Sequence, residues 1–211
     1  MIFEINNRSY EKVDRAFYQG TDVVKIAKDL LGMVLFSKID GMLTAGKIVE
    51  TEAYCGRGDK ACHANGKITP RTEVMYREGG VAYVYLCYGI HHLINVVTNA
   101  RGQADAVLIR ALEPITGMNE MKLRRGERAK KLASGPGTLT QAMGIKVGMT
   151  GTDLLGDQIW IGNPLERESI DIETDTRIGV EYAEEDALRP WRFLIANNSF
   201  VSKKVQTSNN S

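Results

Sequence analysis

Cysteine and proline are scarce, at three and five in 211 residues, and the signatures of several large functional classes are missing. Cys55, Cys62 and Cys87 leave one thiol over in any pairing, which argues against a disulfide-stapled secreted scaffold and for a reducing compartment. No Cys-x-x-Cys knuckle or His-Glu-x-x-His helix occurs. The scattered Cys55, Cys62, His63, Cys87, His91 and His92 therefore lack zinc-ligand spacing, and no metal or other cofactor is expected. Neither a Gly-x-Ser-x-Gly elbow nor a Walker phosphate loop is present, and the glycine pairs read as turns. There is no apolar run of signal-peptide or membrane-span character, so a soluble protein that stays where it is made is expected.

Charge of one sign is also lacking overall, the formal net being +1. That balance hides an asymmetry. Residues 122–131 hold six bases and one acid, whereas residues 166–186 hold nine acids and two bases. The basic run is either a solvated helix face or a footprint for a polyanion.

With 43% hydrophobic and 25% charged residues, the composition is that of an ordinary globular protein. Nothing divides the chain. The expectation is one α+β domain over residues 1–211, with a curved, mostly antiparallel sheet, surrounding helices and a flexible tail at 201–211. A helix is predicted over 21–32, capped by Thr21 and stopped by Gly32. Strands at 33–39 and 43–54 pair across Asp40-Gly41, and 81–88 pairs with 91–98 around Gly89-Ile90. A further strand covers 104–112 and ends at Pro114. Residues 115–131 read as a helix carrying the basic run, followed by the Ser134-Gly135-Pro136-Gly137 loop and a short helix over 138–143. Short strands are placed near Ile159, Ile178 and Phe193.

Alternation along the second strand puts Glu50, Glu52 and Tyr54 on one face. This is either a solvent-facing edge or a site with two carboxylates and an aromatic. Tyr83 and Tyr85 share a face of the next hairpin and Tyr88 sits at its turn. Tyr83 reads as a core residue, while Tyr85 and Tyr88 suit flat surfaces on which bases stack or wedges that enter a duplex. Arg110, within the apolar run 106–112, needs a carboxylate or a phosphate as partner, and both an internal ion pair and a site role remain open.

These residues fall in segments that together resemble the alkyladenine (3-methyladenine) DNA glycosylase family. The segments are Leu31-Gly32 with Val34-Leu35, Gly46-Lys47-Ile48-Val49-Glu50-Thr51-Glu52-Ala53-Tyr54, Ala61-Cys62-His63 and Thr69-Pro70-Arg71. Ala82-Tyr83-Val84-Tyr85-Leu86-Cys87-Tyr88-Gly89 and Asn95 come next, then Val107-Leu108-Ile109-Arg110-Ala111-Leu112-Glu113-Pro114. Ser134-Gly135-Pro136, Arg177-Ile178-Gly179 and Arg192-Phe193 complete the series in family order.

The resemblance implies a DNA repair enzyme that flips an alkylated or deaminated purine from the duplex and hydrolyses its bond to the sugar. It implies Glu52 as general base, Arg110 as the arginine that helps hold the water, and Ile178 as the residue whose backbone carbonyl completes the water site. Tyr54, His63 and Tyr85 would wall the base pocket, Asn95 would exclude guanine, and Tyr88 would be the wedge. Glu50 matches no catalytic position. Arg71, Arg124, Arg125, Lys130, Lys131, Ser134 and Gly135 are candidates for backbone phosphates.

No lysine is placed for Schiff-base chemistry, so a monofunctional glycosylase without lyase activity is expected, working as a cytoplasmic monomer on chromosomal double-stranded DNA. Two features depart from the family pattern. Thr72-Glu73-Val74 follows Thr-Pro-Arg where some members carry asparagine and further bases, and His91 stands where some carry tyrosine. The rival readings are a damaged-DNA-binding module without chemistry and a metal-dependent hydrolase.

Overall fold

The computed structural model describes residues 1–126, 129 and 131–203. In chain order the elements are β1 (Ile2–Ile5), β2 (Arg8–Lys12), α1 (Arg15–Tyr18), α2 (Val23–Asp29), β3 (Val34–Ile39) and β4 (Met42–Tyr54). Then come β5 (Ala82–Cys87), β6 (His91–Thr98), β7 (Asp105–Thr116), α3 (Met118–Arg125) and α4 (Pro136–Met143). The last are β8 (Ile159–Pro164), β9 (Ile172–Asp175) and β10 (Arg192–Ile195). Short 3₁₀ turns lie at Glu73–Tyr76, Val147–Met149 and Glu181–Leu188.

The strands form one open sheet in the order β1-β2-β8-β3-β4-β7-β6-β5, with β10 also pairing β4 and β9 pairing β10. Every pairing among the described residues is antiparallel, so the α+β expectation holds. The main core gathers Ile26, Ala27 and Leu30 of the first long helical segment, Val49 and Ala53 of β4, Ile109 of β7 and Leu139 of α4.

β4 organises the fold. Its first half pairs with β3 and its second half with β10, while β7 runs along its other side. The β3–β4 turn is the one read from the sequence: Asp40 and Gly41 have φ of 54° and 77°, the left-handed pair that a two-residue hairpin of this hand requires. Against β7 the register slips between Ile48 and Glu50 and again between Glu50 and Thr51, leaving Val49 and Arg110 without cross-strand counterparts. Such bulges bend a strand and re-aim its side chains.

Several boundaries differ from expectation. α2 is capped by Asp22, whose carboxylate accepts from the Lys25 N–H at 3.0 Å, so Thr21 is not the cap. Pro114 does not end its strand. β6 accompanies β7 only as far as Leu108, so Pro114, opposite Gly46, has no strand on its other side that would need its missing N–H. The helix expected over 115–131 is therefore confined to α3, which ends at Gly126 with φ 88°. Lys130 lies outside the described residues. Ile178 belongs to a loop, the nearby strand being β9. Residues 201–203 pack against the domain, with Val201 buried in the main core and Ser202 and Lys203 hydrogen bonded inward. The remainder of the expected tail, 204–211, is outside the described residues.

Candidate active site

Glu50 and Glu52 share a face of β4, as the alternation required, and both are wholly buried, with Tyr54 half-buried beside them. Thr51, on the opposite face, donates to the Ala27 carbonyl of α2 at 2.8 Å. Glu52 Oε1 accepts from the Ile178 N–H at 2.8 Å and lies 3.2 Å from Arg110 Nη1, while Oε2 accepts from the Tyr54 hydroxyl at 2.7 Å. A carboxylate has about four acceptor positions, so two hydrogen bonds and the ion-pair contact with Arg110 leave room for a further partner. Burial, and after it the Glu52 charge, pushes the Tyr54 hydroxyl well above its ordinary pKa, which keeps it a donor.

Arg110 reaches both carboxylates, with Nε donating to Glu50 Oε1 at 3.0 Å. Burial would lower its pKa, yet the Glu52 and Glu50 charges outweigh burial and the guanidinium stays protonated. Both readings of Arg110 therefore meet in one place. It forms an internal ion pair, and it also lines a cavity of about 660 Å³, within the size range of small-ligand clefts (about 300–1,000 Å³). A second cavity of about 390 Å³, lined by Arg8, Tyr10, Lys47 and Arg167, contains none of the predicted site residues.

The larger cavity brings together Tyr54, His63, Tyr85, Asn95, Ile178 and Tyr88 from five segments of the chain. Tyr83 and Tyr85 stack with centroids 5.4 Å apart and His63 meets Tyr85 edge-on at 4.7 Å. The His63 Nδ1 lies 3.1 Å from the Tyr83 hydroxyl. Burial, and then the Arg71 charge, lowers the His63 pKa from 6.5 to about 4, so the ring is neutral near pH 7. Asn95 is buried and its amide donates to the Tyr83 carbonyl at 3.1 Å.

The predicted phosphate contacts fare differently from one another. Arg71 turns toward the cavity, its Nε donating to the Tyr83 hydroxyl at 3.1 Å and its guanidinium lying 5.0 Å over the Tyr85 ring. Arg124 donates to the Ala142 carbonyl and Arg125 to the Gln141 side chain, tying α3 to the C-terminal end of α4. Lys131 is exposed and reaches the Ser199 carbonyl at 3.4 Å. Gly135 lines the cavity where α4 begins, and the neighbouring Ser134 hydroxyl has no partner among the described residues. Gly137 packs closely there, since a Cβ would stand 3.0 Å from the His91 ring. Of the segment that departs from the family pattern, Thr72 and Val74 are buried and Glu73 is exposed.

Tyr88 occupies the β5–β6 turn at φ 50°, left-handed for a non-glycine residue, and is 90% exposed. Leu86 and Ile90 beside it are exposed too.

Sequence reasoning assigned no role to Asp59, Arg177 or Arg192. The Asp59 carboxylate, fully buried, accepts two bonds from Arg177 at 2.6 and 2.8 Å. Arg177 also donates to the Ala53 carbonyl at 2.9 Å and lies 4.9 Å over the Tyr54 ring. This pair pins the loop that carries Ile178. The available signal was that Arg177 and Arg192 stand inside two of the segments that carry the resemblance, Arg177-Ile178-Gly179 and Arg192-Phe193. Among the described residues no group of three or more His, Cys, Asp and Glu side chains is arranged to hold a metal ion, and none of the helices is long and apolar enough to cross a membrane.

A buried, oriented carboxylate thus lies behind an aromatic cleft, and comparison with known proteins shows the family of the chain. The model of the methylpurine-DNA glycosylase family matches residues 16–199. A protein of Natranaerobius thermophilus, provisionally named a 3-methyladenine DNA glycosylase, is 44% identical over 196 residues, covering 90% of this chain and 98% of its own. Similarly named proteins of Carboxydothermus hydrogenoformans and Bacillus cereus strain Q1 are 47% and 45% identical, with the same coverage of each chain. The chain belongs to the methylpurine-DNA glycosylase family. That family consists of DNA repair glycosylases, which act on DNA and excise bases by hydrolysing the base–sugar bond.

Proposed function

We propose that this protein flips alkylated or deaminated purines out of duplex DNA into the aromatic cleft, where Glu52 activates water against the base–sugar bond. The observation that carries the reading is the fully buried Glu52, held by Tyr54, Arg110 and the Ile178 N–H directly behind that cleft. An acceptor position left on its carboxylate suits a water molecule. As the bond to the base lengthens, the sugar gains oxocarbenium character, which a nearby carboxylate stabilises. Water then attacks the sugar carbon, its proton passes to Glu52, and the electron pair of the broken C–N bond leaves with the base.

A purine methylated at N3 or N7 is cationic and departs without an acid. It also stacks well between Tyr54, Tyr85 and a neutral His63, which adds no repulsive charge. Opening the duplex costs a few kcal/mol, part of which Tyr88 recovers by filling the vacated place. Asn95 limits entry of guanine, and the Ile178 carbonyl helps hold the water. Lys131, Ser134 and Gly135 contact phosphates. Water is the nucleophile, so the strand is left intact at an abasic site, and the protein works as a monomer.

Duplexes carrying 3-methyladenine, 7-methylguanine, hypoxanthine or ethenoadenine test this side by side. Free base should appear with the cationic lesions released fastest, and the strand should break only after alkali. Strand cleavage without alkali, or no release from any of the four, would refute the reading.

A further inference from the structure

Glu50 matches no catalytic position, yet it is as buried as Glu52 and more heavily bonded. Its Oε1 accepts from Arg110 Nε at 3.0 Å, Arg192 Nη1 at 3.1 Å and the Ser202 hydroxyl at 2.9 Å, and its Oε2 accepts from the Ser202 N–H at 2.6 Å. Ser202 also meets Arg110, whose Nη2 donates to the hydroxyl at 3.4 Å. Arg192 is tied in turn to the Lys203 carbonyl at 2.8 Å, the Thr176 carbonyl at 3.0 Å and the Asp175 carboxylate. Segment 201–203 thus reaches the back of the cleft, anchored by the buried Val201.

We infer that Ser202 is a positioning residue, closing over Glu50 so that Arg110, and through it Glu52, is held in the orientation excision requires. One feature favours this over a plain staple for segment 201–203. Arg110 is a bulged residue without a cross-strand counterpart, so its direction is set by its side-chain partners, and Ser202 touches both Arg110 and the carboxylate that steers it. A low-dielectric site with two guanidinia sharing one carboxylate is sensitive to a single lost donor.

The inference rests on Glu52 acting as the base, and the test separates the two. Full-length wild type, Ser202→Ala, Ser202→Thr and Glu52→Gln are compared on dimethyl-sulfate-treated duplex for single-turnover release of methylated base. Affinity for the same duplex and the melting temperature are measured in parallel. Ser202→Ala should lower the single-turnover rate about tenfold with affinity within about twofold, and Ser202→Thr, which keeps the hydroxyl, should restore the rate. A wild-type rate in Ser202→Ala overturns the inference, as does a loss that threonine fails to restore or one matched by equal losses of affinity and melting temperature. Glu52→Gln tells the failures apart. If it is inactive while Ser202→Ala is unimpaired, only the role of Ser202 falls. If it excises normally, the assignment of the base falls and takes that role with it.

Discussion

The two ends of the candidate site are built in opposite ways. Behind the cleft, Glu50, Glu52, Asp59, Arg110, Arg177 and Arg192 are all buried and all paired, each carboxylate held by more than one donor. At the β5–β6 turn, Leu86, Tyr88 and Ile90 present apolar surface to solvent, with Tyr88 in a backbone conformation that few tyrosines adopt. Charges that must act on a reacting sugar need fixed positions, because reorganising them during the reaction would cost the advantage of a water-excluded site. A surface that displaces a base from a stack needs exposed apolar area, and pairing it with the fold would remove its use.

The largest effect expected from that contrast is at Glu52. Glu52→Gln preserves shape but removes both the charge and the basicity, and should lower the single-turnover rate at least about a thousandfold while leaving binding to ethenoadenine duplex intact. Near-normal excision of 3-methyladenine by this variant would assign the base elsewhere.

Glu50→Gln comes next and sharpens the contrast, because this residue would be a harmless control if the buried cluster were only scenery. Removing one charge from a buried network typically costs about 3–5 kcal/mol. Two guanidinia would lose their shared counter-ion, so both the denaturation midpoint and the excision rate should fall. An unchanged urea midpoint would mean that the cluster is looser than its distances indicate.

At the exposed end, Tyr88→Ala should leave the melting temperature within about 2 °C of wild type, since a residue that is 90% exposed contributes little to the core. Excision from duplex should drop roughly tenfold, an effect of one to two kcal/mol, with a smaller loss on single strands. Equal losses on both substrates would make Tyr88 a wall of the pocket and not a wedge.

The smallest effect concerns His63. Its folded pKa lies near 4 and its unfolded value near 6.5, so the unfolded chain binds the extra proton between those limits. The stability due to the neutral ring is complete above about 6.5 and is lost as the pH falls toward about 4. His63→Gln should therefore flatten the decline of melting temperature across that window. A decline of unchanged steepness would place the titration elsewhere.

Much of this was legible along the chain. The β3–β4 and β5–β6 hairpins follow from alternation and from the turn residues between them, and the shared face of Glu50 and Glu52 follows from a period of two. What failed had local causes that only neighbours reveal. Pro114 looked like a strand end, but a proline is tolerated where no further strand requires its N–H. The basic run looked like one helix face, but Gly126 ends α3, and Arg124 and Arg125 serve to join it to α4. The polar tail looked loose, but Ser202 has a buried carboxylate to meet.

By itself, then, the sequence determined the antiparallel sheet class and which polar and aromatic side chains share a strand face, because periodicity and side-chain type are local properties. The tertiary structure decided which of them are partners. Glu50 and Arg110 are 60 residues apart, Asp59 and Arg177 are 118, and Glu50 and Ser202 are 152, and no local pattern encodes such separations. Burial made those pairings obligatory, since a charge removed from water must find its counter-ion wherever the fold has brought one.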